Sequence, residues 1–113
     1  MADNELVVLW TSGDRDVALK MAFMYTYNSK VKGWWPEVSL IVWGPSANLL
    51  VEDAELQDYM QRIMAAGIYV MACKACSDSY GVSEKLTAMG IDVKYMGQPL
   101  THFLKSGCHV LTV

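Results

Sequence analysis

Two cysteines, Cys73 and Cys76, stand where chemistry is easiest to place, in the stretch Val70-Met71-Ala72-Cys73-Lys74-Ala75-Cys76-Ser77-Asp78-Ser79-Tyr80-Gly81-Val82. An apolar run that reads as a buried strand ends on the first cysteine. The second follows three residues later, and a helix is expected to begin just beyond. The thiolate is the nucleophilic form of cysteine, and the partial positive charge of a helix N-terminus favours it over the thiol. Lys74 adds a full positive charge nearby, so Lys74 and the helix start are expected to lower the thiol pKa. Three readings stay open on the residues alone. Free cysteines are often small buried hydrophobes. A Cys-x-x-Cys spacing at a helix start resembles a dithiol redox pair. A single reactive thiolate would accept sulfur as a persulfide and pass it on, with the second thiol resolving or protecting it.

The elements that must position these thiols alternate along the chain. Strands are expected at Glu5 to Trp10, Val38 to Trp43, Ile68 to Ala72, Ile91 to Tyr95 and Cys108 to Val113. A helix is expected from about Asp16 to Asn28, after the capping turn Thr11-Ser12-Gly13-Asp14. Gly44-Pro45-Ser46 breaks the second strand. Asp53 reads as an N-cap, followed by Leu56, Tyr59, Met60 and Ile63 at i, i+3, i+4 and i+7, with Gly67 at the end. Val82, Leu86 and Met89 mark a third helix. Pro99 suits a helix N1 position, with Leu100, Phe103 and Leu104 facing inward and Gly107 as the stop. Short Val- and Ile-rich strands between helices imply a three-layer α/β/α sandwich on a mainly parallel five-stranded sheet.

Ligands of such sheets bind outside the carboxyl ends of the strands. Thr11 to Asp14, Gly44 to Glu52, Cys73 to Tyr80 and Gly97 to Pro99 converge there. Ser12, Gly13, Gly44, Asn48, Gly97 and Gln98 are therefore candidate pocket residues, although Thr11-Ser12-Gly13 is too short for a phosphate-binding fingerprint and reads more simply as a capped turn. Cys108 and His109 open the last strand at the opposite edge, roughly 17 Å away at about 3.3 Å per residue. They are badly placed to join Cys73 and Cys76 in a metal site, which needs four converging ligands. No metal and no cofactor are expected. His102 reads as a surface residue, and Trp34-Trp35 as packing under a loop or in an interface.

The 113 residues, 53% of them apolar, suit one domain spanning 1–113. No apolar run reaches the roughly 18 residues of a membrane span. The start Met1-Ala2-Asp3-Asn4-Glu5 is acidic and lacks the basic region of a signal peptide, so a cytoplasmic protein is expected. With a formal charge of -3 and no basic cluster, nucleic acid is not an expected partner. Three cysteines cannot pair completely and suit a reducing compartment. Eight Met, four Trp and six Tyr are many for this size and suggest a surface covered by another subunit. The first helix points the same way. Ala18, Met21, Ala22 and Tyr25 form one stripe and Leu19, Phe23 and Tyr27 another, and only one can face the sheet.

Several phrases carry a resemblance over nearly the whole length: Val42-Trp43-Gly44-Pro45-Ser46, Ala72-Cys73-Lys74-Ala75-Cys76 before Tyr80-Gly81-Val82, and Tyr95-Met96-Gly97-Gln98-Pro99-Leu100-Thr101. By these the chain resembles the DsrE/DsrF-like family of small sulfur-relay proteins. The resemblance implies a parallel five-stranded α/β/α fold and a trimeric or hexameric assembly. It implies that Cys73, eight residues before Gly81-Val82, is the sulfur-accepting cysteine, with Cys76 as the nearby alternative, and that sulfur-donor and sulfur-acceptor proteins are partners. Tyr80 stands where the carriers usually have an arginine. The expectation is thus a persulfide carrier or sulfurtransferase-type relay; the alternative is a non-catalytic oligomeric binding or assembly module.

Overall fold

Five short strands make one sheet: β1 (Glu5–Trp10), β2 (Glu37–Val42), β3 (Tyr69–Cys73), β4 (Asp92–Lys94) and β5 (His109–Thr112). They lie in the order β4-β3-β2-β1-β5, and every pairing is parallel. Val38 to Val42 in β2 are all buried, the continuous run that a strand covered on both faces requires. The computed structural model describes residues 4–113; Met1, Ala2 and Asp3, which carry part of the N-terminal reading, lie outside the described residues.

Six helices connect the strands. Helix α1 runs through three consecutive segments, α-helical Arg15–Val17, π-helical Ala18–Phe23 and α-helical Met24–Val31. The others are α2 (Pro45–Glu52), α3 (Ala54–Ala65), α4 (Lys74–Tyr80), α5 (Ser83–Ala88) and α6 (Gly97–Lys105). From β1 to β4 the chain steps one way along the sheet, so right-handed crossovers put α1, α2, α3 and α5 on one face, while α4 turns over the carboxyl edge with Cys76 against the smaller core. The β4–β5 connection crosses back over the whole sheet, which sends α6 to the other face. The packing follows. Leu6, Val8, Trp10, Leu40, Val42 and Val70 meet the residues of α1, α2, α3 and α5 in the larger core. Val7, Ile41, Met71 and Cys73 pack with Met96, Leu100 and Phe103 in a smaller one. This is the expected α/β/α sandwich, with outer layers of unequal weight.

Several local expectations need correction. Gly44-Pro45-Ser46 ends β2 but also starts α2: proline at the first helical turn lacks only an N–H that has no partner there, and Ser46, Ala47 and Leu50 are buried. The single helix expected around Val82 is two, because Gly81 takes a left-handed φ of 71° and ends α4 before α5 begins. Helix α6 starts at Gly97, two residues before Pro99, and Leu104 is 61% exposed rather than inward. Neither stripe of α1 alone faces the sheet. Ala18, Ala22, Phe23, Thr26 and Ser29 are buried, while Met21 and Met24 are exposed. The buried set takes Ala18 and Ala22 from the first stripe, Phe23 from the second, and Thr26 and Ser29 from neither.

Capping explains two of the starts. Asp14 Oδ1 accepts the N–H groups of Asp16 and Val17 at 2.8 and 3.1 Å, and Asp53 Oδ1 accepts that of Leu56 at 3.1 Å. Arg15 Nε reaches Asp53 Oδ2 at 2.6 Å, and its guanidinium also meets Glu55, which ties the starts of α1 and α3 together.

Candidate functional site

Cys73 is the last residue of β3, beside Lys94 of β4, and its side chain belongs to the smaller core with Met71 and Met96. It is 5% exposed. Cys76 lies in the first turn of α4 and is half-buried. The turn from strand to helix folds the two side chains together, and Cys76 Sγ donates to Cys73 Sγ at 3.1 Å. Both are free thiols. A disulfide would need the sulfurs to close to about 2.05 Å, roughly 1 Å nearer.

The electrostatics differ from the sequence expectation. Burial pushes the Cys73 thiol above the ordinary cysteine value, and the Cys76 sulfur adds to the rise. The backbone N–H groups of Cys76 and Ala75 pull the other way without reversing it. Lys74 spends its charge elsewhere. Its Nζ lies 2.6 Å from Asp78 Oδ2, one helical turn on, and 5.5 Å from the centre of the Tyr95 ring. The Lys74 ammonium, followed by the Ser83 hydroxyl at 2.5 Å, holds the Asp78 carboxyl below the usual range. Ser77 Oγ completes this chain, 2.6 Å from Ser83 Oγ and donating to the Lys74 carbonyl at 3.2 Å. The network joins α4 to α5 and fixes the turn that carries Cys76. Its signal was present in the i, i+4 spacing of Lys74 and Asp78, but the split between the two helices hid it.

The candidate pocket residues divide. Gly13 and Asn48 share a shallow depression of about 220 Å³ with Pro45, Leu49, Glu52 and Tyr80. Tyr80, which stands where the resembled carriers have an arginine, thus faces this depression. Ser12 Oγ accepts the Asp14 N–H at 3.1 Å and so serves the capped turn. Gly44, at φ 71° and ψ -138°, makes the bend into α2. Gly97 and Gln98 open α6 as exposed residues and are not among those lining the depression, and neither cysteine is. Ser46, missed in the sequence, holds the strand ends. Its hydroxyl donates to the Trp10 carbonyl at 2.7 Å and accepts the Trp43 N–H at 3.1 Å.

Cys108 sits at the other end of the sheet, where the pairing of Leu6 with His109 places it beside Glu5. Its thiol donates to Glu5 Oε1 at 3.3 Å. Among the described residues no three His, Cys, Asp or Glu side chains gather as a metal site. Also among the described residues, no helix is long and apolar enough to cross a membrane.

A parallel sheet in this order, with α6 packed on the face opposite α1, α2, α3 and α5, defines the fold class. The chain has the DsrE/YchN-like fold: it superimposes on the YchN protein of E. coli with a TM-score of 0.76 at 15% identity, over 96% of this chain and 98% of that one. A protein of unknown function, MTH1491 of Methanobacterium thermoautotrophicum, gives 0.74 at 16% identity, over 96% and 98%. The conserved protein of unknown function BT1422 of Bacteroides thetaiotaomicron is 38% identical, with a TM-score of 0.95 over 99% of this chain and 97% of that one. The chain belongs to the same family as BT1422, within the DsrE/YchN-like fold. No family model and no curated protein matches it.

Proposed function

We propose that the protein is a small cytoplasmic DsrE-like sulfur relay, in which the Cys73–Cys76 pair accepts a sulfane sulfur from a donor protein as a persulfide. The observation that carries the reading is the pair itself, two free thiols 3.1 Å apart at the carboxyl end of a central parallel strand. That edge is where open α/β sheets hold their ligands. Three free cysteines suit a compartment that keeps thiols reduced. A homo-oligomer, trimeric or hexameric, is part of the proposal; the light second layer and the exposed apolar residues of α1 support it.

The test is sulfur uptake. Incubation with a low-molecular-weight persulfide, such as glutathione persulfide, is expected to consume the donor in wild type but not in the Cys73→Ser/Cys76→Ser protein. One single-cysteine variant should gain about 32 Da, reversible by a thiol reductant. Equal donor consumption by wild type and the double variant, with no mass gain on either single variant, would overturn the reading. The burial of Cys73 favours a second reading, a binding or assembly module whose thiols do no chemistry. That reading predicts slow alkylation of both thiols in the native protein.

A further inference from the structure

The two thiols are close enough to react with each other and unequal in access, which bears on the fate of the sulfur once it is taken up. Cys76 is half-buried on α4, while Cys73 lies beneath it against Met71 and Met96. A donor can therefore reach the Cys76 sulfur first. A persulfide on Cys76 keeps its inner sulfur within about an ångström of bonding distance from Cys73 Sγ, given the present separation of 3.1 Å. Cys108, at the far end of the sheet, is in no position to compete.

Resting on the sulfur-relay reading, we infer that Cys76 is the entry thiol and Cys73 the resolving thiol, so that the loaded protein discharges its sulfur as sulfide and closes a Cys73–Cys76 disulfide. In the first step the donor persulfide passes its outer sulfur to Cys76, and the donor leaves as a thiol. In the second, the Cys73 sulfur attacks the inner sulfur of the Cys76 persulfide. The bond between the two persulfide sulfurs breaks, and the Cys73–Cys76 bond forms. The outer sulfur departs with the bonding electrons and the Cys73 proton as hydrogen sulfide. The sulfane sulfur is reduced by two electrons, and the two cysteine thiols are oxidised by the same two. A dithiol reductant, exchanging with the disulfide, restores both thiols. What this keeps from the relay reading is the uptake of sulfane sulfur as a persulfide; the sulfur then leaves as sulfide, as from a persulfide reductase, and is not handed on to an acceptor.

The experiment follows both products anaerobically after adding glutathione persulfide. Wild type is expected to release about one sulfide per chain, trapped with monobromobimane, and to lose about 2 Da by intact mass. Cys73→Ser and, as a second form, Cys73→Ala are expected to keep a gain of about 32 Da and to release at least tenfold less sulfide. Cys76→Ser is expected to load slowly or not at all. Wild type that stably retains the added mass without sulfide would sink this inference and leave the relay reading standing, as would equal sulfide release from the Cys73 variants. Absence of loading in every form would sink the relay reading, and the inference with it.

Discussion

Cys73 and Cys76 have the same side chain three residues apart, yet the first is buried and the second only half-buried. For Cys73 burial outweighs every nearby dipole, which is why a strand-end position with a lysine beside it did not yield the expected low-pKa thiolate. The lysine was legible in the sequence, but its commitment to Asp78 became visible only with α4 in place. Iodoacetamide is expected to modify Cys76 severalfold faster than Cys73 in the native protein, with the sites resolved by peptide mass mapping. Equal rates would remove the difference in access. The raised Cys73 value also has a consequence for stability. A thiol bound more tightly to its proton in the folded state contributes stability that is full below the unfolded pKa, about 8.5, and is lost as pH rises through the higher folded value. The urea midpoint of wild type should therefore fall more steeply with pH above about 8.5 than that of Cys73→Ser. Parallel curves would show that burial is not shifting the group.

At the scale of elements, the strands and the capped starts were legible because their signals are local. Glu5 to Trp10 was read to the residue, and Asp53 caps α3 as its position before Leu56 suggested. What escaped depended on neighbours. Helix α2 was hidden behind a Gly-Pro pair that both ends a strand and begins a helix, and the π segment of α1 shifts phase in a way no regular 3.6 period describes. Gly44 is the clearest case of one residue shaping an element. Its φ of 71° with ψ of -138° is a conformation that a side chain makes costly, even though nothing lies within 4 Å of where a Cβ would stand. Gly44→Ala is expected to cost about 1–3 kcal/mol in urea unfolding. Gly97→Ala serves as the comparison, since Gly97 lies in the first turn of α6 without a positive φ and also in open space. It should be neutral, or stabilising by up to about 1 kcal/mol. Equal losses at the two sites would show that backbone conformation is not what Gly44 supplies.

Across the whole molecule, the strand order leaves two unequal outer layers and an excess of apolar surface. On the heavier side Met21, Met24, Val31 and Trp34 are all exposed. Met21, Met24 and Trp34 line, with Tyr25, a shallow depression of about 260 Å³ on the outside of α1. The sequence signalled this surface through two apolar stripes on one helix, of which the sheet could bury only one. Met21 of the first stripe and Met24, which belongs to neither, are the residues of α1 left outside. A helix that is apolar on its outer side as well needs a second covering surface. If the proposed homo-oligomer forms, a second copy of the chain would supply that cover without any further partner. Sedimentation velocity is expected to give a mass several times the 12.6 kDa of one chain. Met24→Glu should shift the protein toward that single-chain mass with an unchanged far-ultraviolet spectrum, because a buried carboxylate at a subunit contact has no partner to offset its desolvation. Leu104→Glu, on the α6 side, separates the two faces: it should leave the assembly intact if α1 carries the contact. A wild-type protein that sediments at 12.6 kDa, or a Met24→Glu protein that keeps the wild-type mass, would remove α1 as the subunit contact.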